Sequence, residues 1–302
     1  MKKVLITGAL GQDGIILSRI FQKKKFEVYG FIEKKRKIKI PKVKYKFNNL
    51  TSQKKIKDQL KIIKPNIIIH LACKNETYIK RKNEKNYKIN YLKNLKCTSN
   101  LLTSIVKINL QTKLIFAGSS LMFKNTKKKV SEKTPFKSSD YYGNYKIDAH
   151  KMIMKIKNEK KIDASTAILF NHDSAYRNEK FLLPRLTKSF ANKDFKFIKD
   201  IYKLNINGDF SHAEDICNGI YKLSITKIKI DTLILSSGKR FYINKVIDYL
   251  EKYFQYNIKK KYSDKKLNRR IIGSNKLAKK LINYKPLKSP INACKEILKN
   301  YL

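Results

Sequence analysis

This sequence predicts an α/β fold, a doubly wound parallel sheet followed in the chain by a smaller α/β lobe, on three observations. Through the first half, apolar runs short enough for buried strands alternate with segments of helical periodicity. A glycine-rich turn joins the first strand to the first helix. Beyond about residue 171 the alternation loosens, and Pro184, Gly208, Gly238 and Pro286 punctuate shorter elements.

Taken in order, Val4–Thr7 is a short apolar strand, and Gly14–Gln22 carries Ile15, Leu17 and Ile20 at helical spacing. Phe26–Ile32 is a second strand, followed by a basic loop at Lys34, Lys35 and Arg36. Gln53–Ile63 reads as a helix, Asn66–His70 as a β-rich strand, and Asn86–Lys107 as a long helix. Leu114–Ala117, Tyr142–Lys157 and Ala164–Phe170 continue as strand, helix and strand. Strands separated by helices require right-handed βαβ units, hence a Rossmann-type sheet. The expected organisation is a sheet domain over 1–170 and a smaller lobe over 171–302. That boundary is approximate, with room for strands to interleave across it, because no repeat or low-complexity linker marks it.

Composition narrows the class. The 302 residues carry a formal charge of +47, the signature of a nucleic-acid or membrane-surface binder. Yet 62 of the 70 basic residues are Lys and only 8 are Arg, and the lysines are spread along the whole chain. Readers of phosphates and base edges favour Arg forks. With Ile, Asn, Tyr and Phe abundant, Trp absent and Ala only 11 times present, the charge reads as coding drift toward Lys at exposed positions. At 42% apolar and 11% aromatic the chain is no disordered basic tail. Cys73, Cys97, Cys217 and Cys294 form no CxxC pair and lack a His at metal-ligand spacing, so no metal is expected. Free thiols in a reducing cytosol fit them. The apolar start is cut by Gly11–Gly14, and Ile67–Ala72 is far below spanning length, so the expectation is cytoplasmic, with no membrane partner.

Three of the ten glycines, Gly8, Gly11 and Gly14, fall in the first fourteen residues, within the run Thr7, Gly8, Ala9, Leu10, Gly11, Gln12, Asp13, Gly14. Between a strand and a helix, such glycines permit a tight turn, close approach of backbone N–H groups to a pyrophosphate, and close helix packing. The plain alternative is a structural turn. At the end of the second strand an acid suits the ribose of NAD and cations suit the 2′-phosphate of NADP. Glu33 is there, but Lys34, Lys35 and Arg36 follow, which favours NADP with NAD possible.

Tyr142 and Lys146 stand four residues apart on one helical face. An ammonium beside a phenol lowers its pKa and makes it a usable base for a sugar hydroxyl. Spacing alone does not single the pair out, because six tyrosines here have Lys four positions on. Order does: Tyr142 follows the strand whose end carries Gly118, Ser119 and Ser120, hydroxyls that can reach the same substrate oxygen. Otherwise Tyr142 is a packing aromatic and Ser119 a cap.

The Thr7–Gly14 turn with Ser119, Tyr142 and Lys146 resembles the extended short-chain dehydrogenase/reductases that act on nucleotide sugars. The nearest likeness is to the GDP-mannose 4,6-dehydratases. It is carried by Gly11–Gly14, Asn49–Thr51, His70–Ala72, Glu132–Phe136, Leu169–Ser174 with Arg177, Asp209–His212 with Asp215, and Asn275–Leu281. The resemblance implies that Tyr142 takes the proton of the sugar C4 hydroxyl, Lys146 holds the nicotinamide ribose, and Ser119 orients the C4 oxygen. It adds Asn49, Leu50, Leu71, Ala72 and His172 to the cofactor-binding set. Asn171, Arg177 and Arg185 would meet the diphosphate of a GDP-hexose. For Asn171 and His172 the bland reading is a hydrogen-bonded turn, and for His212 and Asp215 a helix start. A homodimer or homotetramer, paired through 86–107 and 142–157, is also implied.

Three positions depart from that pattern. Leu121 stands where the dehydratases have a glutamate that removes the C5 proton before loss of the C6 hydroxyl. Gly208 replaces an arginine that grips the nucleotide, with Arg269 and Arg270 as candidate replacements. Asn49 replaces an acid that receives the adenine amine, a milder change because an amide carbonyl also accepts. Three readings follow: a GDP-hexose dehydratase with altered acid–base machinery, a nucleotide-sugar 4-keto reductase or 4-epimerase, and a non-catalytic nucleotide-binding protein. If the lysines are solvated drift, duplex DNA should bind no tighter than about 10⁻⁶ M at physiological salt, read by fluorescence anisotropy. A nanomolar complex would restore the nucleic-acid class.

Overall fold

The computed structural model describes residues 1–34, 40–74, 84–160, 162–258 and 270–301. Strands β1 (Lys3–Thr7), β2 (Glu27–Ile32) and β3 (Lys44–Phe47) alternate with α1 (Gln12–Lys23). They are followed by α2 (Gln53–Ile63), β4 (Ile67–His70), α3 (Glu84–Lys107), β5 (Lys113–Ser119), a 3₁₀ turn (Ser120–Met122), α4 (Tyr141–Lys160) and β6 (Asp163–Leu169). A late strand, β10 (Thr232–Leu235), completes a seven-stranded parallel sheet in the order β10-β6-β5-β4-β1-β2-β3.

The predicted strands and helices of the first half are all present, within three residues at each end. Two sheet strands were not foreseen. In β3 the alternation Lys44, Tyr45, Lys46, Phe47 sits at an exposed edge and buries little. β10 is a buried run from the looser half of the chain, pairing with β6 from Thr232↔Thr166 to Leu235↔Leu169.

Both faces of the sheet are covered, as a parallel sheet requires. On one side α2, α3 and α4 pack Ile56, Leu60, Leu101, Leu102 and Ile153 against Leu5, Ile68, Leu114 and Phe116. On the other, α1 and α7 (Ala213–Ile225) bury Ile15, Phe21, Ile216 and Ile220 against Val4, Ile6, Ile69 and Ile115. The chain thus returns to the sheet well after residue 171.

The remainder forms a smaller α/β lobe. Its elements are β7 (Asn171–Asp173), α5 (Leu182–Ala191), α6 (Phe195–Lys203), β8 (Asn207–Gly208), β9 (Phe210–His212), β11 (Phe241–Tyr242), α8 (Asn244–Phe254), α9 (Lys276–Ile282) and α10 (Pro290–Leu298). β7 pairs with β9 and β8 with β11, while Leu186, Phe190, Ile198, Val246, Leu250 and Ile297 make a separate core. Among the described residues no helix is long and apolar enough to cross a membrane.

Asp209 ties this lobe to the end of β10. Its side chain is fully buried and accepts from the N–H of Ser237 (2.8 Å), the Ser237 hydroxyl (2.6 Å), and the N–H groups of Gly238 (3.0 Å) and Gly273 (3.3 Å). Burial raises its pKa despite these donors. Asp209→Ala strands the donors, so thermal unfolding should show a loss of about 3 kcal/mol or more.

Candidate active site

The sheet order reverses between β1 and β4, and a crevice opens there beyond the strand ends, where ligands of such sheets bind. The glycine turn lies on one side. Gly8 has φ of +73°, and a Cβ on it would stand 3.1 Å from Ala72 Cα. At Gly14 a Cβ would come within 2.5 Å of the Gly8 carbonyl oxygen, so only glycine lets α1 start this close to the turn.

Thr7 and His70 lock the two strand ends together. The Thr7 hydroxyl oxygen accepts from the N–H groups of Leu71 (3.2 Å) and Ala72 (3.1 Å), so its proton goes to His70 Nδ1 at 2.8 Å. His70 Nε2 then carries the ring proton and donates to Thr98 Oγ1 at 3.0 Å. Thr98 donates in turn to the Asn94 carbonyl (3.2 Å), leaving Tyr145 to donate to Thr98 (3.2 Å). Burial, with the Lys146 charge nearby, holds the His70 pKa down at about 3, so the ring is neutral.

Tyr142 and Lys146 open α4 directly above this network. Lys146 is 2% exposed, and its ammonium donates to the Ala117 carbonyl at 2.6 Å. It lies 5.5 Å from the Tyr142 ring centroid and 4.7 Å from that of Phe116. The expected lowering of the phenol is not what results. Burial dominates, with the Cys73 thiol as the next contributor, and holds Tyr142 well above its ordinary pKa; burial likewise lowers Lys146. The Cys73 thiol donates to Tyr142 Oη at 4.0 Å, a contact that no sequence pattern announced.

Gly143 sets the position of Tyr142. A Cβ there would lie 2.4 Å from the Leu121 carbonyl oxygen and 2.0 Å from Ser138 Oγ, so the first turn of α4 rests on the 3₁₀ turn after β5. Ser119 is buried in that corner and its Oγ accepts the Leu121 N–H at 3.2 Å. The Leu121 side chain is 42% exposed.

Asp13 and His172, both expected at the cofactor, pair with each other. His172 Nε2 lies 3.0 and 3.1 Å from the two Asp13 oxygens, and Nδ1 lies 2.6 Å from the Phe170 carbonyl. Two acceptors require two N–H donors, so the ring is an imidazolium. Burial opposes both charges but the pairing prevails: Asp13 falls to about 2 and His172 rises. Gln12 Nε2 donates to the His172 carbonyl (3.3 Å), and Ser174 Oγ donates to Gln12 Oε1 (3.0 Å).

The proposed diphosphate residues are spread along this segment. Asn171 Nδ2 donates to the Asp209 carbonyl at 3.3 Å; Arg177 lies 3.3 Å from Asp173 and stacks on Phe181 at 3.5 Å. Arg185 stacks on Phe197 at 4.3 Å. Arg269 lies outside the described residues. The Arg270 N–H donates to the Asn207 carbonyl at 2.8 Å, and the Arg270 Cβ fills the space that a side chain at Gly208 would need. His212 caps α7 by accepting the Glu214 N–H (3.2 Å), while Asp215 accepts from the Leu287 (2.9 Å) and Lys288 (2.7 Å) N–H groups. Both roles are structural.

The crevice continues as a cleft bordered by Gly8, Gly11, Lys34, Leu50, Leu71 and Ala72, and it reaches Cys73 beside Tyr142. Lys34 and Glu33 both border it at the end of β2, Glu33 facing Lys93 at 3.4 Å; Lys35 and Arg36 lie outside the described residues. Asn49 borders it too, but its carbonyl accepts from the Thr51 N–H (3.1 Å) and hydroxyl (2.8 Å).

A switch-point glycine turn with a Tyr–Lys helix docked under a serine is the architecture of the extended short-chain dehydrogenase/reductases, in their epimerase and dehydratase group. Within that class the chain belongs to the GDP-mannose 4,6 dehydratase family, whose sequence profile matches residues 5–289. GDP-mannose 4,6 dehydratase 1 of Arabidopsis thaliana is 24% identical over 94% of this chain and 85% of its own. UDP-glucuronic acid 4-epimerase from Bacillus cereus, solved with NAD, is similar at a TM-score of 0.82 and 17% identity, covering 99% of this chain and 98% of that one. RMD from Pseudomonas aeruginosa, solved with NADPH, gives 0.80 and 16%, covering 100% and 99%.

The Asp13–His172 pair fixes a pH window. Asp13 contributes stability above its ordinary 3.8, lost as pH falls toward about 2; the raised His172 contributes fully below 6.5, lost as pH rises through its folded pKa. Asp13→Asn should therefore lower the melting temperature most between pH 3.8 and 6.5, with the two proteins converging on both sides.

Proposed function

We propose that this chain catalyses hydride transfer at C4 of a nucleotide-linked hexose, a GDP-hexose, with NADP in the cleft. The observation that carries the reading is the docking of Gly143 on the Leu121 carbonyl, which brings Tyr142 to the corner holding Ser119 and to the end of the glycine-turn cleft. The cleft suits a dinucleotide. A Cβ at Gly8 or Gly14 would strike backbone, and the first-turn N–H groups of α1, which have no i−4 carbonyl, favour a pyrophosphate. Lys34 at the end of β2 suits a 2′-phosphate, and Lys93 already faces Glu33 there.

When bound, the nicotinamide would accept the C4 hydride or return it. Tyr142 would move the proton at the C4 oxygen, and Ser119 Oγ would hold that oxygen by a hydrogen bond. Lys146, buried and charged, would favour the phenolate as the proton leaves. Asn171, Arg177 and Arg185 would meet the diphosphate. Ile89 and Leu92, exposed on α3, would pair copies of the chain into a homodimer.

Leu121 favours a second reading. It has no group to accept the C5 proton, and absence of a positioned base costs about 10²–10⁴ in rate. A 4-keto reductase or 4-epimerase needs no such base. Incubation with NADP⁺ and GDP-mannose, followed by mass spectrometry, separates the two: loss of one water identifies the dehydratase. Unchanged mass, with NADPH-dependent reduction of a 4-keto sugar nucleotide, identifies the reductase. In either case Tyr142→Phe should lower turnover by about 10²-fold or more with the fold intact by circular dichroism. Unchanged turnover in that variant would end the enzyme reading and leave nucleotide binding alone.

A further inference from the structure

The Tyr142 phenol is a poor place to leave a charge. Burial, and after it the Cys73 sulfur, hold the phenol well above its ordinary pKa, so a phenolate formed by giving a proton to the C4 oxygen would lie high in free energy. That cost is avoided when a second proton reaches the phenol oxygen as the first one leaves. The source must touch Oη, be a stronger acid than a phenol, and exchange with water.

Most groups around the phenol have their protons committed. Lys146, on the same helix, is sealed and donates to the Ala117 carbonyl at 2.6 Å. Tyr145 donates to Thr98 at 3.2 Å, and neutral His70 gives its ring N–H to Thr98 at 3.0 Å. Arg177, from the turn after β7, faces Asp173 at 3.3 Å, and a guanidinium does not deprotonate in proteins. Cys73, in the loop after β4, differs from all of these. Its thiol donates to Tyr142 Oη at 4.0 Å, and among the described residues Oη has no other hydrogen bond. Such contacts are often long before the reacting complex forms and tighten within it. The thiol is half-buried and borders the cleft, and thiols are stronger acids than phenols. Its sulfur also acts on the Lys146 ammonium, opposing the burial that lowers that group.

We propose that Cys73 is the proton relay behind Tyr142. In the reductive direction, as C4 gains the hydride of a reduced nicotinamide, the Tyr142 O–H bond breaks and its proton goes to the C4 oxygen. The Cys73 S–H bond breaks with it, and that proton goes to Oη, so the phenol is restored and a thiolate remains. Water in the cleft returns a proton to the sulfur. In the oxidative direction each transfer reverses, and Cys73 receives the proton that passes through the phenol. The inference rests on the hydride-transfer reading; Cys73 acts through Tyr142 and is a positioning residue.

Two measurements on the full chain test this. The first needs no turnover: the ultraviolet phenolate band of Tyr142 is taken as the difference between the chain and Tyr142→Phe. It should appear at lower pH in Cys73→Ala than with Cys73 present, because the sulfur raises the phenol. An unmoved band overturns the relay. The second follows NADPH oxidation with a 4-keto sugar nucleotide, or NADP⁺ reduction with GDP-mannose, in mixtures of light and heavy water. Rate against deuterium content should curve in the wild type, as two protons moving together require, and become linear in Cys73→Ala. That variant should lose about 10-fold or more in kcat, with KM within about twofold. Cys73→Ser, which keeps a hydroxyl and loses the acidity, should behave like the alanine variant. A linear plot in the wild type, or full turnover in Cys73→Ser, overturns the relay alone. A wild type that turns over neither sugar nucleotide, with the phenolate shift present, overturns the hydride-transfer reading and the relay with it.

Discussion

The structure depends on how closely two backbones approach at the switch point. The turn at Gly8 comes so near the loop after β4 that a single Cβ would touch Ala72, and the Thr7 hydroxyl gathers the N–H groups of that loop. From there the order is handed on through neutral His70 and Thr98 to Tyr145, which directly precedes Lys146 and sits one turn from Tyr142. One side chain therefore relates the turn suited to phosphates to the helix that bears the phenol. Because every donor in that chain has one acceptor, the arrangement has a single hydrogen-bond assignment, which is what rigidifies a buried polar network.

The buried charges follow a common rule in different ways. Asp13 and His172 neutralise each other across the junction between α1 and β7. Asp209 is surrounded by N–H donors, and Lys146 rests on a carbonyl. None is left bare, in keeping with the cost of burying an uncompensated ion. The formal +47 plays no part in this interior: of the 70 basic residues, Lys146 alone among the described ones is nearly enclosed.

Much of the architecture was legible because it rests on local pattern. The β1–α1 unit, the long α3 and the start of α4 follow from apolar spacing and from glycines whose Cβ would clash. β3 was hidden because half of its residues are lysine at an exposed edge, and β10 because three apolar residues after a threonine, between loops, carry no period. At the site, Gly8, Ser119, Tyr142 and Lys146 could be read from order along the chain. The pairing of Asp13 with His172 spans 159 residues, so spacing could not reveal it. Nor could it reveal that Thr51 takes up the Asn49 carbonyl. The phenol shift was misjudged for a related reason: an i,i+4 neighbour is visible in sequence, but the depth of burial that outweighs it is not.

The late arrival of β10 has a consequence for synthesis. A nascent chain that has emerged only as far as β6 presents an unpaired parallel edge and a sheet face still missing α7. Both gaps are filled from one stretch of chain, Ala213–Leu235, so the sheet cannot close until most of the polypeptide has left the ribosome. Non-local pairing of this kind is slow and leaves an open strand edge exposed meanwhile. The dense lysines then acquire a use unrelated to ligands: like-charged incomplete chains repel one another during that interval, which keeps the edge from finding a neighbour's.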